Sequence, residues 1–179
     1  MSEQITITEA LAELKTISKR LASKRQFIVQ NSVRHGVLRD PFEKGGSTQA
    51  EQIGRERQAH NDLMARWVSI RDGIAKANAE TRLVVEGVNR TVAEWLIWRR
   101  EFADDEHRLL AQMQGAAQQI RKEIADKFGA AEGQSDERMQ AVVNFDEAAV
   151  SEEAERIESI LGRLDGALSL HNARTSIEV

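Results

Sequence analysis

Eight residues that close the first half of this chain return, with substitutions, as its last eight. Asn78-Ala79-Glu80-Thr81-Arg82-Leu83-Val84-Val85 and Asn172-Ala173-Arg174-Thr175-Ser176-Ile177-Glu178-Val179 share Asn-Ala-x-Thr, then an aliphatic residue and a closing valine. The starts of the halves echo each other as well: Thr6-Ile7-Thr8-Glu9-Ala10-Leu11 and Thr91-Val92-Ala93-Glu94-Trp95-Leu96 share Thr, aliphatic, any, Glu, any, Leu. Leu63, Trp67, Ile70 and Ile74 are followed 94 places later by Ile157, Leu161, Leu164 and Leu168, the same offset as the closing phrase. A chain written twice in this way folds as two copies of one unit. Here the expected units are residues 1–85 and 86–179, fused into one domain.

Each unit reads as a helix, a polar loop, an antiparallel helix and a strand. Ile7, Leu11, Leu14, Ile17, Leu21 and Ile28 recur at three- and four-residue steps, the stripe of an amphipathic helix reaching about Asn31. Thr6 with Glu9 matches a capping box that satisfies free amides at the helix start, and Thr91 with Glu94 repeats it. From His35 to Thr48 the glycines and Pro41 read as a flexible loop. A second helix is expected over about 50–77, carrying Ile53, Leu63, Trp67, Ile70 and Ile74. Asn78 and Asn172 are expected to end their helices, because asparagine tolerates the left-handed conformation found just past a helix end. Thr81 to Val85 and Asn89 to Val92 flank Glu86-Gly87-Val88 as a β-hairpin. A third helix is expected over 93–128, with Trp95, Leu96, Phe102, Leu109, Leu110, Met113, Ile120 and Ile124 as its apolar positions. A loop over 129–136, a brief extended segment at Val142–Phe145 and a last helix over 147–171 follow.

The predicted fold is therefore mainly α: two pseudo-repeated antiparallel helical hairpins, four long helices in all, with a small β-hairpin or sheet at one pole. Tyrosine and cysteine are absent and Pro41 is the only proline, while 30% of residues are charged. Such a composition favours long amphipathic helices over a compact mixed fold. Without cysteine there are no disulfides, thiolate ligands or thiol nucleophiles. No apolar run approaches the length that spans a bilayer and no basic leader opens the chain, so a cytoplasmic origin is expected.

No enzyme is legible, and no catalytic, cofactor or metal residues are assigned. Asp104-Asp105-Glu106-His107 has the Glu-x-x-His-like spacing of di-iron bundles, and Glu56 with His60 adds an i, i+4 pair. The second Glu-x-x-His is missing, so a solvated acidic patch is expected. His35 and His171 lie at predicted helix ends, where the dipole favours a capping role. Lys44-Gly45-Gly46-Ser47-Thr48 lacks the order of a phosphate loop. Lys15, Lys19, Arg20, Lys24, Arg25, Arg34 and Arg39 spread around their helix, and a net charge of −4 opposes attraction to phosphate. Nucleic acid is not an expected partner, and Trp95 and Trp98 beside Arg99-Arg100 read as core anchors.

Charge is nevertheless lopsided. Glu9 to Asp40 holds seven bases and three acids, whereas Glu101 to Glu158 holds fifteen acids and six bases. Solvated helix faces explain such runs, and so does head-to-tail attraction between copies, since complementary fields steer association.

The run Ile74-Ala75-Lys76-Ala77-Asn78-Ala79-Glu80-Thr81-Arg82-Leu83, the restart Thr91-Val92-Ala93-Glu94 and the closing Asn172-Ala173-Arg174-Thr175 resemble the septicolysin-like family, largely uncharacterised helical proteins of bacteria and their phages. The resemblance covers most of the chain through structural motifs, and it implies no catalytic residue. The loop from Val33 to Ala50 is longer and more basic than that pattern. The lytic activity in the family's name is not expected here, because nothing resembles a membrane-inserting segment. The resulting expectation is a non-enzymatic assembly protein that oligomerises through its helices. Its expected setting is a tailed-phage virion, as a capsid-decorating, connector or tail accessory component with other virion proteins as partners, made in the bacterial cytoplasm. The alternative is a cytoplasmic oligomeric helical bundle that binds a small ligand or metal.

Overall fold

The computed structural model describes residues 3–128 and 141–179, with only the backbone of Phe128. The loop expected over 129–136 lies outside the described residues. In chain order the elements are β1 (Gln4–Thr6), α1 (Ile7–Asn31), α2 (Gln49–Glu80), β2 (Arg82–Val85), β3 (Val88–Thr91), α3 (Val92–Ile97), a π-helical segment (Trp98–Ala103), α4 (Asp104–Phe128), α5 (Glu147–Arg174) and β4 (Ser176–Glu178), with a single 3-10 turn at Glu43–Gly45. The fold is mainly α with small β elements.

Two compact units divide the chain: Met1–Glu80 with Ser169–Val179, and Thr81–Leu168. These boundaries differ from the expected 1–85 and 86–179, and strand pairing supplies the reason. β2 pairs with β3 in a two-residue hairpin, from Arg82 opposite Thr91 to Val85 opposite Val88, so residues 81–85 belong with the second unit. β4 pairs antiparallel with β1, Ile5 opposite Ile177, so the last residues join the first unit. The single small sheet expected from the sequence is instead two separate two-stranded ladders.

In the first unit, α1 and α2 pack through Ile7, Ala10, Leu14, Ile17 and Leu21 on one side and Ile70 and Ile74 on the other, with Ile177 of β4 closing the cluster. The capping box at Thr6 forms as expected, the Glu9 amide donating to Thr6 Oγ1 at 3.2 Å and the Thr6 amide to Glu9 Oε2 at 2.8 Å. A further box starts α2: the Glu51 amide donates to Thr48 Oγ1 and the Thr48 amide to Glu51 Oε2. The connection between α1 and α2, expected to be flexible, is tied down. Asp40 accepts amide hydrogens from Phe42 and Gln49, and buried Gln49 donates through Nε2 to the Asn31 carbonyl at 2.6 Å. Those two amides hold the Asp40 carboxyl below the usual range.

In the second unit, Val85, Val92, Trp95, Ile160, Leu164 and Leu168 form the core. Thr91 and Glu94 cap α3. The hairpin turn places Glu86 and Gly87 at φ 49° and 74°, as a primed turn requires at both central positions. Glu86 is an unusual residue there, and its carboxylate is anchored, accepting from Ser159 Oγ at 2.9 Å and pairing with Arg163 at 2.7 Å. The expected third helix is interrupted: a π-helical segment of six residues separates α3 from α4. Val142–Phe145 forms no strand.

Helix ends correct another expectation. Asn78 and Asn172 lie inside α2 and α5, which run on to Glu80 and Arg174, and neither takes a positive φ. Strand pairing follows directly at Thr81 and Thr175, whose carbonyls accept from the Val92 and Ile7 amides, each at 2.9 Å.

Candidate functional site

Several of the residues singled out from the sequence are engaged with protein partners. His107 Nε2 lies 3.1 Å from Glu158 Oε1, both side chains exposed, and Asp105 pairs with Arg108. Glu56, on α2 in the other unit, takes Lys24 Nζ at 2.7 Å across a groove lined also by Phe27 and Leu63. Among the described residues, no group of three or more His, Cys, Asp or Glu is placed to hold a metal. Arg99 pairs with Asp165 and Arg100 with Glu101. Trp95 is buried and donates its indole N–H to the Leu83 carbonyl at 3.1 Å, which makes it the core anchor the sequence implied. His35 sits in the exposed connection beyond α1, not at the helix end. His171 is not a dipole cap but a buried, neutral side chain: burial pushes its pKa down. Among the described helices, none is long and apolar enough to cross a membrane.

The surface of α4 is unusual in the opposite sense. A helix in a two-layer packing normally buries its large side chains and shows its small ones. Among the described side chains of the π-helical segment and α4, the fully buried ones are the alanines Ala103 and Ala117, fourteen residues and about four turns apart, while Leu110, Met113 and Ile124 are half-buried. Phe102, Leu109 and Ile120 instead stand 54%, 53% and 40% exposed. The second and third lie seven and eighteen residues after the first, about two and five α turns, so they form one apolar line. Sequence periodicity marked these as core positions. It reports that residues share a face, and it does not report whether that face is covered.

Electrostatics distinguishes the units. The first carries 14 Lys or Arg against 11 acids, a formal +3, and the second 11 against 18, a formal −7. Within the first unit, Arg66 reaches Glu13 at 2.9 Å and Glu3 at 2.9 Å, and the guanidinium holds the Glu13 carboxyl below its ordinary range. A scan of protein-family models and searches of curated proteins and of solved structures find no match to this chain.

Proposed function

We propose that this chain is a non-enzymatic assembly protein whose copies associate head to tail, the acidic second unit of one docking on the basic first unit of the next. The observation that carries the reading is the line of Phe102, Leu109 and Ile120, each about half exposed, where buried positions of the same segment are alanines. Large apolar side chains exposed along one helix face point to an interaction site. The opposite formal charges of the two units favour a heterologous pairing over a face-to-face one, and heterologous contacts build rings or filaments. The proposed setting is a tailed-phage particle, as a decorating, connector or tail accessory component. That part rests on the septicolysin-like resemblance of the sequence, and the assembly rests on the geometry.

The test is the absolute mass of the purified protein by light scattering at low and high salt. A defined oligomer that dissociates as ionic strength rises is the expected result, because screening removes attraction between exposed charges. A monomer at every salt and protein concentration refutes the assembly reading. For the setting, mass spectrometry of purified particles decides, and a particle lacking the protein refutes it.

A further inference from the structure

A cleft of about 210 Å³ opens in the second unit beside the hairpin, with Trp98, Ile157 and Ile160 among its apolar walls and Arg90, Glu106 and the Glu153–Arg156 pair among its polar ones. Three features separate it from an accidental surface dent. The first is a charge left over on each side. Arg156 satisfies Glu153 at 3.2 Å, but among the described residues Arg90 and Glu106 have no hydrogen-bonded or ion-pair partner. Glu94, near enough to feel the charge of Arg90, has its carboxylate occupied by the Thr91 amide.

The second feature is how Arg90 is held. Its guanidinium lies 5.0 Å from the Trp95 ring centroid and 5.9 Å from that of Trp98, and the two indoles meet edge to face at 84°. These cation–π contacts hold the guanidinium at the cleft, and no side chain among the described residues takes its N–H donors, which leaves them open to a carboxylate. The third feature is the π-helical segment. Trp98 and Glu106 are eight residues apart, whereas two α turns take about 7.2 residues. The wider i to i+5 turn absorbs the excess residue, and both side chains line the same cleft. Single π turns concentrate at functional sites for this reason.

From this arrangement we infer that the cleft binds a free α-amino acid with an apolar side chain. The carboxylate meets Arg90, the ammonium meets Glu106, and the side chain lies against Trp98, Ile157 and Ile160. A free amino acid carries both charges on one α-carbon. The terminus of a peptide carries only one of them, and a simple carboxylic acid leaves Glu106 without a partner. The volume also suits a ligand of this size, being below the range of drug-sized pockets. Every lining residue belongs to one unit of one chain.

Isothermal titration of the full chain with leucine, methionine and phenylalanine tests it, with N-acetyl-leucine and leucinamide as blocked analogues. At least one amino acid saturates with a Kd of roughly 1 mM or tighter, and each blocked analogue binds about 10-fold more weakly or less. Glu106→Gln, at an exposed helix position, removes the preference for leucine over N-acetyl-leucine. Arg90→Met removes the preference for leucine over leucinamide, and if that variant fails to fold the Glu106 arm decides alone. Failure of all three amino acids to saturate by about 10 mM overturns the inference. So does equal binding of the blocked analogues, or a Glu106→Gln protein that keeps its full preference.

Discussion

Asn78 and His171, far apart in sequence, meet through a hydrogen bond in which the imidazole Nε2–H donates to the Asn78 Oδ1 at 3.2 Å. On the other side of the ring the Thr175 hydroxyl donates to Nδ1 at 3.0 Å. The two bonds together fit the neutral ring with its proton on Nε2, and His171 is almost fully buried. Both asparagine and threonine belong to the Asn-Ala-x-Thr phrases that stand out in the sequence, so those residues serve packing between α2, α5 and the β1–β4 ladder within the first unit.

Acid therefore weakens this junction. Burial lowers the folded pKa of His171, so the unfolded chain binds the proton more readily. The stabilisation is complete above the ordinary histidine range, and it is lost as pH falls through that range to the depressed folded value. Urea unfolding at about pH 7.5 and about pH 5.5 will show a larger acid loss for the native protein than for His171→Gln. Equal losses in the two proteins would count against the account.

Gly73 on α2 lies under the C-terminal strand. A Cβ there would stand 3.2 Å from Ile177 Cδ1 and 3.4 Å from the Glu178 carbonyl. Alanine gains about 1 kcal/mol of helix propensity and loses it to that crowding, so Gly73→Ala is expected to fall within about 1 kcal/mol of the native protein. Gly73→Leu has no such room and displaces β4, at a cost of about 1–3 kcal/mol. Gly115 and Gly162, where an added Cβ would meet nothing within 4 Å, supply the contrast: alanine at either gains up to about 1 kcal/mol. Thermal melts of the four variants read the ranking directly.

The capping boxes at Thr6 and Thr91 make the same pair of bonds, and loss of either hydroxyl has a similar expected cost. Thr6→Ala and Thr91→Ala each lower stability by about 1 kcal/mol, within the range measured for N-cap threonines. The partner carboxylates add a pH signature. Glu9 and Glu94 are held below the ordinary glutamate range, chiefly by the Thr6 and Thr91 amides they accept. Their contribution is therefore present above that range and lost as pH falls through the depressed values. Acid titration of Thr91→Ala beside Thr91→Ser, which retains the hydroxyl, separates the cap from any effect of the methyl group.

Local rules made part of this architecture legible. Thr6 and Thr91 show their role because a capping box is a four-residue pattern, and Gly87 marks the hairpin turn because glycine accepts a positive φ freely, whereas the positive φ of Glu86 was not legible. The sequence placed Ile5 to Ile7, the 81–92 hairpin and the C-terminal strand in one small sheet, and Ile5 does pair with Ile177. The split into two separate ladders was not legible, because nothing in so short a strand says which edges it leaves unpaired. The π-helical segment was hidden because its sequence, Trp98 to Ala103, carries ordinary helix formers, and the widening shows only in which side chains it brings together. Arg90 and Glu106 were missed for that reason: one lies on a strand and the other in an acidic run that reads as solvated surface.

Association through α4 predicts that polarity and volume act at different places. Phe102, Leu109 and Ile120 are each about half exposed, so burying the remainder against another copy is worth about 1 kcal/mol per side chain. The triple change to serine removes about 3 kcal/mol of association, roughly a 100-fold weaker Kd. It also costs the isolated chain about 1 kcal/mol of folding per side chain, for the half already buried, so association is compared under conditions where both proteins are folded. Ala117→Leu should act on folding alone, costing about 1–3 kcal/mol by overfilling a closed site while leaving the exposed line intact. Sedimentation equilibrium paired with urea unfolding measures both quantities on each variant. A triple serine variant that associates as tightly as the native protein would remove α4 from the interface.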